Sequence, residues 1–197
     1  VRTGKDVMVH SPIIFMAQDR EIAEEAGAGD VIGIPNHGSI RVGDTFTEGE
    51  KLRFTGLPVF APEILRRVHL KDMTRIKQLR QALQDLSEEG LIQVFKPDIG
   101  TNWIIGAIGQ LQLDVVKDRA KNEYKIEIDF ETTQYSTARW LKTDDEKALN
   151  TFVKANINAV MTDRDGDPVY LAPSAWELKY KVDNNEAIQF LKTKELE

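Results

Sequence analysis

The sequence of 197 residues contains no cysteine. Disulfide bonds, thiolate zinc sites, iron–sulfur clusters and cysteine nucleophiles are therefore excluded. No apolar run approaches the roughly 20 residues that a membrane-spanning helix needs, so we expect a cytoplasmic protein with no membrane contact. Basic residues are in the minority: 26 Lys and Arg stand against 32 Asp and Glu, which gives a net charge of -6. That balance argues against a free-standing DNA-binding protein, whose domain is usually basic.

Hydrophobic residues make up 41% of the chain, which is enough to build a folded core in one large domain or two small ones. The pattern changes near residues 56–62, where two prolines within a short stretch predict a stiff connector. We therefore predict a first domain over residues 1–58 and a second domain over residues 59–197.

The first domain is a series of short apolar runs separated by glycine-rich turn signals. Strands are predicted over residues 7–10, 12–16, 30–34 and 39–42, and residues 20–26 have helical propensity. Many short strands at this spacing are typical of an antiparallel β-barrel. Since sixty residues are few for a closed barrel, we expect the remnant of a barrel whose other strands lie outside this sequence.

The second domain alternates strand-like and helix-like segments. Asp72 is a predicted N-cap, and Gly90 a predicted C-cap, for an amphipathic helix between them. Residues 59–131 follow the order β-α-β-β-α-β, which is the ferredoxin-like order. Residues 132–197 repeat the pattern as a second α/β unit, with capping boxes at 143–146 and 174–177. The predicted fold class is thus a β-barrel remnant followed by an α+β domain.

Catalytic and metal-binding patterns are weak. The three histidines lie on different predicted elements. Residues 163–167 (Asp-Arg-Asp-Gly-Asp) resemble a calcium loop, but Pro168 stands where that loop needs glycine and Ser174 where it needs glutamate. A hairpin turn is the better interpretation. Ser39 is not in a G-x-S-x-G context, so a hydrolase is not supported. We predict no catalytic, cofactor-binding or metal-binding residue in this chain.

A resemblance to a known family rests on many short stretches. Residues 28–34 (Ala-Gly-Asp-Val-Ile-Gly-Ile) and 43–46 (Gly-Asp-Thr-Phe) resemble the second domain of translational GTPases. Further stretches are similar to the bacterial class II peptide chain release factors, the release factor 3 family. They include residues 15–20, 36–40, 46–50, 54–58, 60–63, 86–90, 93–97, 138–140 and 188–190. The resemblance extends over essentially the whole chain.

One departure from the family bears on activity. The sequence contains no G-x-x-x-x-G-K-[ST] loop, whose backbone amides, lysine and hydroxyl hold the phosphates and Mg²⁺ of GTP. The resemblance therefore implies the C-terminal part of such a factor, without the GTPase domain. GTP and Mg²⁺ would belong to that missing domain, and this chain would not itself be an enzyme.

The resemblance also implies partners. In the family, the intact GTPase binds the ribosome after peptide release and promotes dissociation of class I release factors, which would be indirect partners here. Small-subunit rRNA and protein are the expected contacts. A run of cations, opposed only by Asp72, could meet rRNA phosphates or an acidic protein face, or could be an ordinary solvated surface. It comprises Arg66, Arg67, His69, Lys71, Arg75, Lys77 and Arg80.

The turn at Asn36 and His37 is a second predicted rRNA contact, since loops of this barrel type approach rRNA in the family. An incomplete barrel exposes backbone groups along a strand edge together with apolar side chains, so we also expect self-association. Two alternatives remain open. They are the equivalent region of an elongation-factor-G-like GTPase, and a regulatory module that binds a small molecule between ferredoxin-like units.

Overall fold

The computed structural model describes residues 4, 6, 8–16, 19–22, 24–35, 40–52, 54, 58–98 and 100–195. The chain divides into two compact units, one of residues 1–54 with residue 197 and one of residues 55–196. The division falls four residues before the boundary that the sequence pattern predicts. No helix among the described residues is long and apolar enough to cross a membrane.

The first unit contains a small antiparallel sheet. Its strands are β1 (Ile13–Met16), β2 (Asp19–Ile22) and β3 (Ile32–Gly33), in the order β2-β1-β3. The sheet does not close into a barrel within the described residues, which agrees with the expected barrel remnant. The predicted strands over 7–10 and 39–42 are not found at the described positions, 8–10 and 40–42.

The helical propensity of residues 20–26 is overridden in the structure. Strand β2 occupies the start of that stretch and pairs with β1, with Ile22 opposite Ile13. A turn follows, in which the Asp30 carboxylate accepts a hydrogen bond of 2.7 Å from the Gly27 N–H. The pairing with β1 supplies the backbone hydrogen bonds that a helix would otherwise make, and the glycines leave too few residues for a stable helix.

The first unit buries little of its apolar surface. Among its residues with described side chains, only Thr45 is buried. Nine large apolar side chains are exposed, which is unusual for a unit that stands alone. They are Met8, Val9, Ile22, Val31, Ile32, Val42, Phe46, Leu52 and Phe54.

The second unit begins with β4 (Pro58–Phe60), and its first half has the predicted β-α-β-β-α-β order. The strands are β5 (Ile64–Leu70), β6 (Gln93–Pro97), β7 (Ile104–Ala107) and β8 (Ile128–Thr132). A 3₁₀ turn (Met73–Arg75) precedes α1 (Ile76–Glu88), and α2 (Gln110–Asn122) connects β7 to β8.

The second half repeats the order, as the sequence pattern predicts. Its strands are β9 (Thr137–Lys142), β10 (Val160–Thr162), β11 (Pro168–Ala172) and β12 (Gln189–Leu191). The helices are α3 (Glu146–Ala155) and α4 (Ala175–Asp183). A last strand, β13 (Thr193–Glu195), follows β12.

The two halves form one antiparallel sheet of eight strands, in the order β12-β9-β11-β10-β6-β7-β5-β8. Within each half the fourth strand lies beside the first and the third lies between the first and the second. The halves meet where β10 pairs with β6, with Met161 opposite Pro97 and Thr162 opposite Lys96. This pairing between edge strands was not predicted from the sequence.

Three clusters of buried side chains stabilise the second unit. One lies between α1, α2 and the first half of the sheet, and another between α3, α4 and the second half. The third lies on the opposite face of the strands and draws on both halves. It contains Leu65, Phe95 and Ile104 together with Ala138, Trp140, Met161, Val169 and Leu171. Because the halves share this core, we expect them to fold as one cooperative domain.

Local capping signals account for several helix ends. The Asp72 carboxylate accepts from the Thr74 N–H at 3.0 Å, at the start of the 3₁₀ turn before α1. Gly90 has a φ of 75°, and its N–H donates to Ser87 O while the Leu91 N–H donates to Leu86 O. These two bonds form a Schellman motif, in which glycine is favoured because φ is positive.

The predicted capping box at residues 143–146 is shifted in the structure. Asp145, not Thr143, is the N-cap of α3, and its carboxylate accepts from the N–H groups of Lys147 and Ala148. Thr143 instead accepts from the Asp145 N–H at 3.0 Å. Ser174 caps α4 as predicted, accepting from the Glu177 N–H at 3.1 Å.

The predicted connector over residues 56–62 contains a strand. Strand β4 pairs with β13, with Lys194 opposite Val59, and the Ala61 N–H donates to Lys192 O at 2.9 Å. Strand β13 therefore stabilises β4, the first strand of the second unit, by pairing with it. Periodicity could not predict β4, because three residues are too few to show a pattern.

Candidate functional site

The predicted basic run is divided between the two faces of the sheet. Successive strand residues point to opposite faces. On β5, Leu65 belongs to the core shared by the two halves, whereas Val68 belongs to the core under α1 and α2. By this alternation, Arg66 lies on the helix side of the sheet and Arg67 on the other. The run is therefore not one continuous basic surface.

Acidic residues of β8 and the preceding segment face part of the run. Lys71 Nζ lies 3.2 Å from Glu127 Oε2 and 3.7 Å from Asp129 Oδ2, and His69 Nδ1 lies 3.8 Å from Glu131 Oε1. The hydrogen bond to Glu127 raises the pKa of Lys71 above its ordinary value. The charge of Lys71 is thus partly neutralised by its neighbours.

Asp129 is itself shared between two lysines. Its carboxylate contacts Lys117 as well as Lys71. The hydrogen bond to Lys117, with the charges of Lys117 and Lys71, holds the pKa of Asp129 below its usual range. A second candidate cation, Arg75, is also paired: its Nε lies 3.4 Å from Asp72 Oδ2, and its Nη1 donates to Lys125 O.

Three of the predicted contacts have no acidic partner among the described residues. Arg66 Nη1 donates to Leu65 O at 2.9 Å, which leaves its other N–H groups available. Arg67 is half-buried, and its Nε is buried without a hydrogen-bond partner in the described part of the chain. Lys77 is exposed on α1. Farther along α1, the Arg80 guanidinium carbon lies 5.9 Å from the centre of the Trp103 ring.

Asn36 and His37, the second predicted contact, lie outside the described residues. Their assignment as rRNA contacts stays a prediction.

Residues 163–167 form the hairpin turn between β10 and β11, as predicted. The Asp163 N–H donates to Asp167 O at 3.0 Å. Asp163 Oδ1 accepts from the N–H groups of Asp165 and Asp167, each at 2.9 Å. Asp163 is buried, and the Trp140 indole donates to its Oδ2 at 3.0 Å. The side chain of Asp163 thus organises the turn from inside.

Lys194 from β13 contacts all three aspartates of this turn. Its Nζ lies 2.8 Å from Asp163 Oδ2 and 2.9 Å from Asp165 Oδ2, and it also contacts Asp167. Burial lowers the pKa of Lys194, but the hydrogen bonds to the carboxylates outweigh that effect, so the pKa is raised. The three carboxylates lie close enough together to hold a metal ion. Here the protein supplies the cation itself.

The sequence analysis did not predict a role for Lys194 or for an aromatic pair on α4. Lys194 is remote in sequence from the hairpin and carries no local signal. Trp176 and Tyr180 are both exposed, and their rings stack with centroids 5.8 Å apart. The i, i+4 spacing of two aromatic residues on a predicted helix was a signal that they share a face.

Two cavities lie near these residues. One of about 530 Å³ lies between α3 and α4, with Tyr180 and Lys181 at its edge. The other, of about 390 Å³, is lined mainly by charged residues of the α2 and β8 region, including Lys71, Lys117 and Glu127. The lysines and carboxylates of the second cavity largely neutralise one another, which argues against a strongly charged ligand there.

Comparison with known protein families is consistent with this architecture. Residues 1–49 match the family described as elongation factor G domain 2, and residues 54–182 match the family described as class II release factor RF3, C-terminal domain. The two matches in this order define a region of a translational GTPase. The chain belongs to the class II release factor RF3 family, with the second unit as its C-terminal domain.

A solved structure is also similar in part. It is the crystal structure of ttk003000868 from Thermus thermophilus, which is 25% identical over 67% of this chain, with a TM-score of 0.47. The match covers 20% of that protein, so this chain spans about a fifth of its length.

Proposed function

We propose that this chain is the ribosome-binding, non-catalytic region of a class II release factor, acting in translation termination. The match of residues 54–182 to the C-terminal domain of this family is the observation that carries the proposal. In the intact GTPase, this region would help to promote dissociation of class I release factors from the ribosome. Small-subunit rRNA and protein would be its direct partners, in the cytoplasm.

The unpaired cations support a contact with rRNA. A ribosome-facing surface needs cations whose charge is not already neutralised, because phosphate contacts release counterions only from available charges. Arg66 and Lys77 meet that requirement better than Lys71 and Arg75, which have carboxylates beside them. Arg67 also has no acidic partner among the described residues, but it lies on the opposite face of the sheet and its Nε is buried. Arginine is also suited to phosphate, since its planar guanidinium can donate two parallel hydrogen bonds.

The chain would bind neither GTP nor Mg²⁺. The sequence contains no G-x-x-x-x-G-K-[ST] loop to supply phosphate-binding amides and the lysine. We place those functions, and the GTPase activity, in another part of the intact factor. The movement of the present region on the ribosome would then follow from the nucleotide state of that part.

Cosedimentation with purified ribosomes tests the proposal. We expect the chain to pellet with ribosomes at low salt and to be released as salt is raised. Reversing the unpaired charge of Arg66 (Arg66→Glu) should weaken association about tenfold. Reversing Lys71 alone, a cation with carboxylate neighbours, should weaken it less. A chain that does not pellet at low salt would contradict the proposal, and an equal effect of Arg66→Glu and Lys71→Glu would remove the assigned role of Arg66.

A further inference from the structure

The exposed aromatic pair on α4 differs from the other tryptophans of the chain. Trp176 is 74% exposed and Tyr180 52%, whereas Trp103 and Trp140 are 5% and 4% exposed. The two rings of the pair are nearly parallel, at 10°. Trp140 donates to Asp163, but the Trp176 indole makes no hydrogen bond with any described residue. One face of Trp176 is thus stacked on Tyr180, and most of the remaining ring surface is exposed.

A cavity of about 530 Å³ begins beside Tyr180, between α3 and α4. Buried Phe152 and Ile188 contribute to its lining. This volume is within the range of cavities that bind small organic groups, about 300–1,000 Å³. Tyr180 therefore connects an exposed stacking surface to a recess with an apolar floor.

Unpaired lysines surround this surface. Lys147 and Lys181 line the cavity, and Lys179 is on α4 one turn from Trp176. None of the three forms an ion pair with a described residue. Among the residues that line the cavity, Lys147 and Lys181 are accompanied by one acid, Glu186, so the lining carries a net charge of +1. The carboxylate of Glu177, next to Trp176 in the sequence, accepts a hydrogen bond from Tyr170 OH at 3.3 Å.

We infer that this surface, which consists of Trp176, Tyr180, Lys147, Lys179 and Lys181, binds unpaired nucleotides of single-stranded RNA. Aromatic faces that stack on bases, together with cations that follow the phosphates, are the usual means of binding single strands without sequence preference. A base would stack on the open face of Trp176, and neighbouring phosphates would contact the lysines. The inference rests on the proposed function, because it assigns one RNA contact of the ribosome-binding region.

Anisotropy of a fluorescently labelled oligoadenylate, titrated with the whole chain at low salt, tests the inference. We expect saturable binding that weakens as salt is raised. Trp176→Ala should weaken it about tenfold, the loss expected for one stacked base. Trp176→Phe keeps an aromatic ring and should restore most of the affinity. Because Trp176 is exposed on the helix, neither change should unfold the protein, and circular dichroism verifies this.

The lysines have a matched control on α3. Lys147→Glu should reduce both the affinity and its dependence on salt. Lys154→Glu makes the same kind of charge change at an exposed position of α3 that does not line the cavity, and it should have a smaller effect. Equal effects of the two changes would indicate a general electrostatic attraction and would overturn the assigned surface.

Ribosome cosedimentation of the same variants separates this inference from the proposed function. If the unchanged chain pellets with ribosomes but does not bind oligoadenylate, the inference fails and the proposed function stands. If Trp176→Ala reduces pelleting while oligoadenylate binding is unchanged, the surface contacts protein instead of RNA, and the inference is also overturned. A chain that does not pellet at all contradicts the proposed function, whatever its affinity for oligoadenylate.

Discussion

Lys194 Nζ lies 2.8 Å from Asp163 Oδ2, and this contact joins the C-terminal strand to the hairpin between β10 and β11. Both side chains are largely buried, with 13% and 10% of their surfaces exposed. Asp163 is also held by the Trp140 indole, which belongs to the core that the two halves of the sheet share. Because β13 pairs with β4, the same contact stabilises the first strand of the second unit.

The Lys194→Met variant should therefore be strongly destabilised. Removing one partner of a buried ion pair leaves an uncompensated charge and typically costs about 3–5 kcal/mol. Two of the three aspartates are more exposed than Asp163. We therefore expect the free energy of unfolding to fall by about 3 kcal/mol, at the lower end of that range. Urea unfolding measures this loss. Lys192→Met is the control: Lys192 is exposed one residue before β13, and its loss should cost less than about 0.5 kcal/mol. Equal costs would refute the role of Lys194.

The contribution of Lys194 should depend on pH in a defined direction. The pKa of Lys194 is raised in the folded state from an ordinary value of 10.5. Its stabilising effect is therefore complete below pH 10.5 and is lost as the pH rises through the higher folded-state pKa. The difference in unfolding free energy between the unchanged chain and Lys194→Met should be constant from about pH 7 to 9 and should shrink above about pH 10.5. A difference that grows with pH in the alkaline range would be inconsistent with a raised pKa.

Local signals in the sequence predicted much of the second unit. Asp72, Gly90 and Ser174 each mark a helix end through bonds to residues two to five positions away, and such bonds leave a recognisable local pattern. The repeated β-α-β-β-α-β order followed from these ends and from apolar spacing.

Contacts between distant segments could not be predicted in this way. The pairing of β10 with β6 depends on two short edge strands, and the contact of Lys194 with Asp163 joins residues that no periodicity relates. The basic run showed the same limitation. Its cations were visible in the sequence, but Glu127 and Asp129, which neutralise Lys71, are distant from it along the chain.

The first unit should cause self-association. Its exposed apolar side chains, such as Val31 and Phe54, favour burial against another molecule, and the small sheet has edges that can pair with a second strand. Light scattering over a concentration series should show a mass that rises above the 22.3 kDa of one chain. Val31→Asp with Phe54→Asp should lower the association. A mass of one chain at every concentration would show that these residues do not mediate contacts.

Calorimetry with GTP and with GDP, each in the presence of Mg²⁺, should show no binding to this chain. The reason is chemical: without the phosphate-binding loop, no series of backbone amides and no lysine is arranged to hold the β- and γ-phosphates. An intact class II release factor in the same buffer is the positive control. Binding of either nucleotide at micromolar concentration would contradict the assignment of GTP binding to another part of the factor.

Competition for the ribosome tests the central claim most directly. A labelled intact class II release factor is bound to ribosomes in its GTP-analogue state, and the unlabelled chain is then added. If this chain contains the ribosome-binding surface of the factor, it should displace the intact protein in a saturable manner, and the Arg66→Glu variant should displace it about tenfold less effectively. If the intact factor stays bound at saturating concentrations of a folded chain, the ribosome-binding surface lies elsewhere and the proposed function is contradicted.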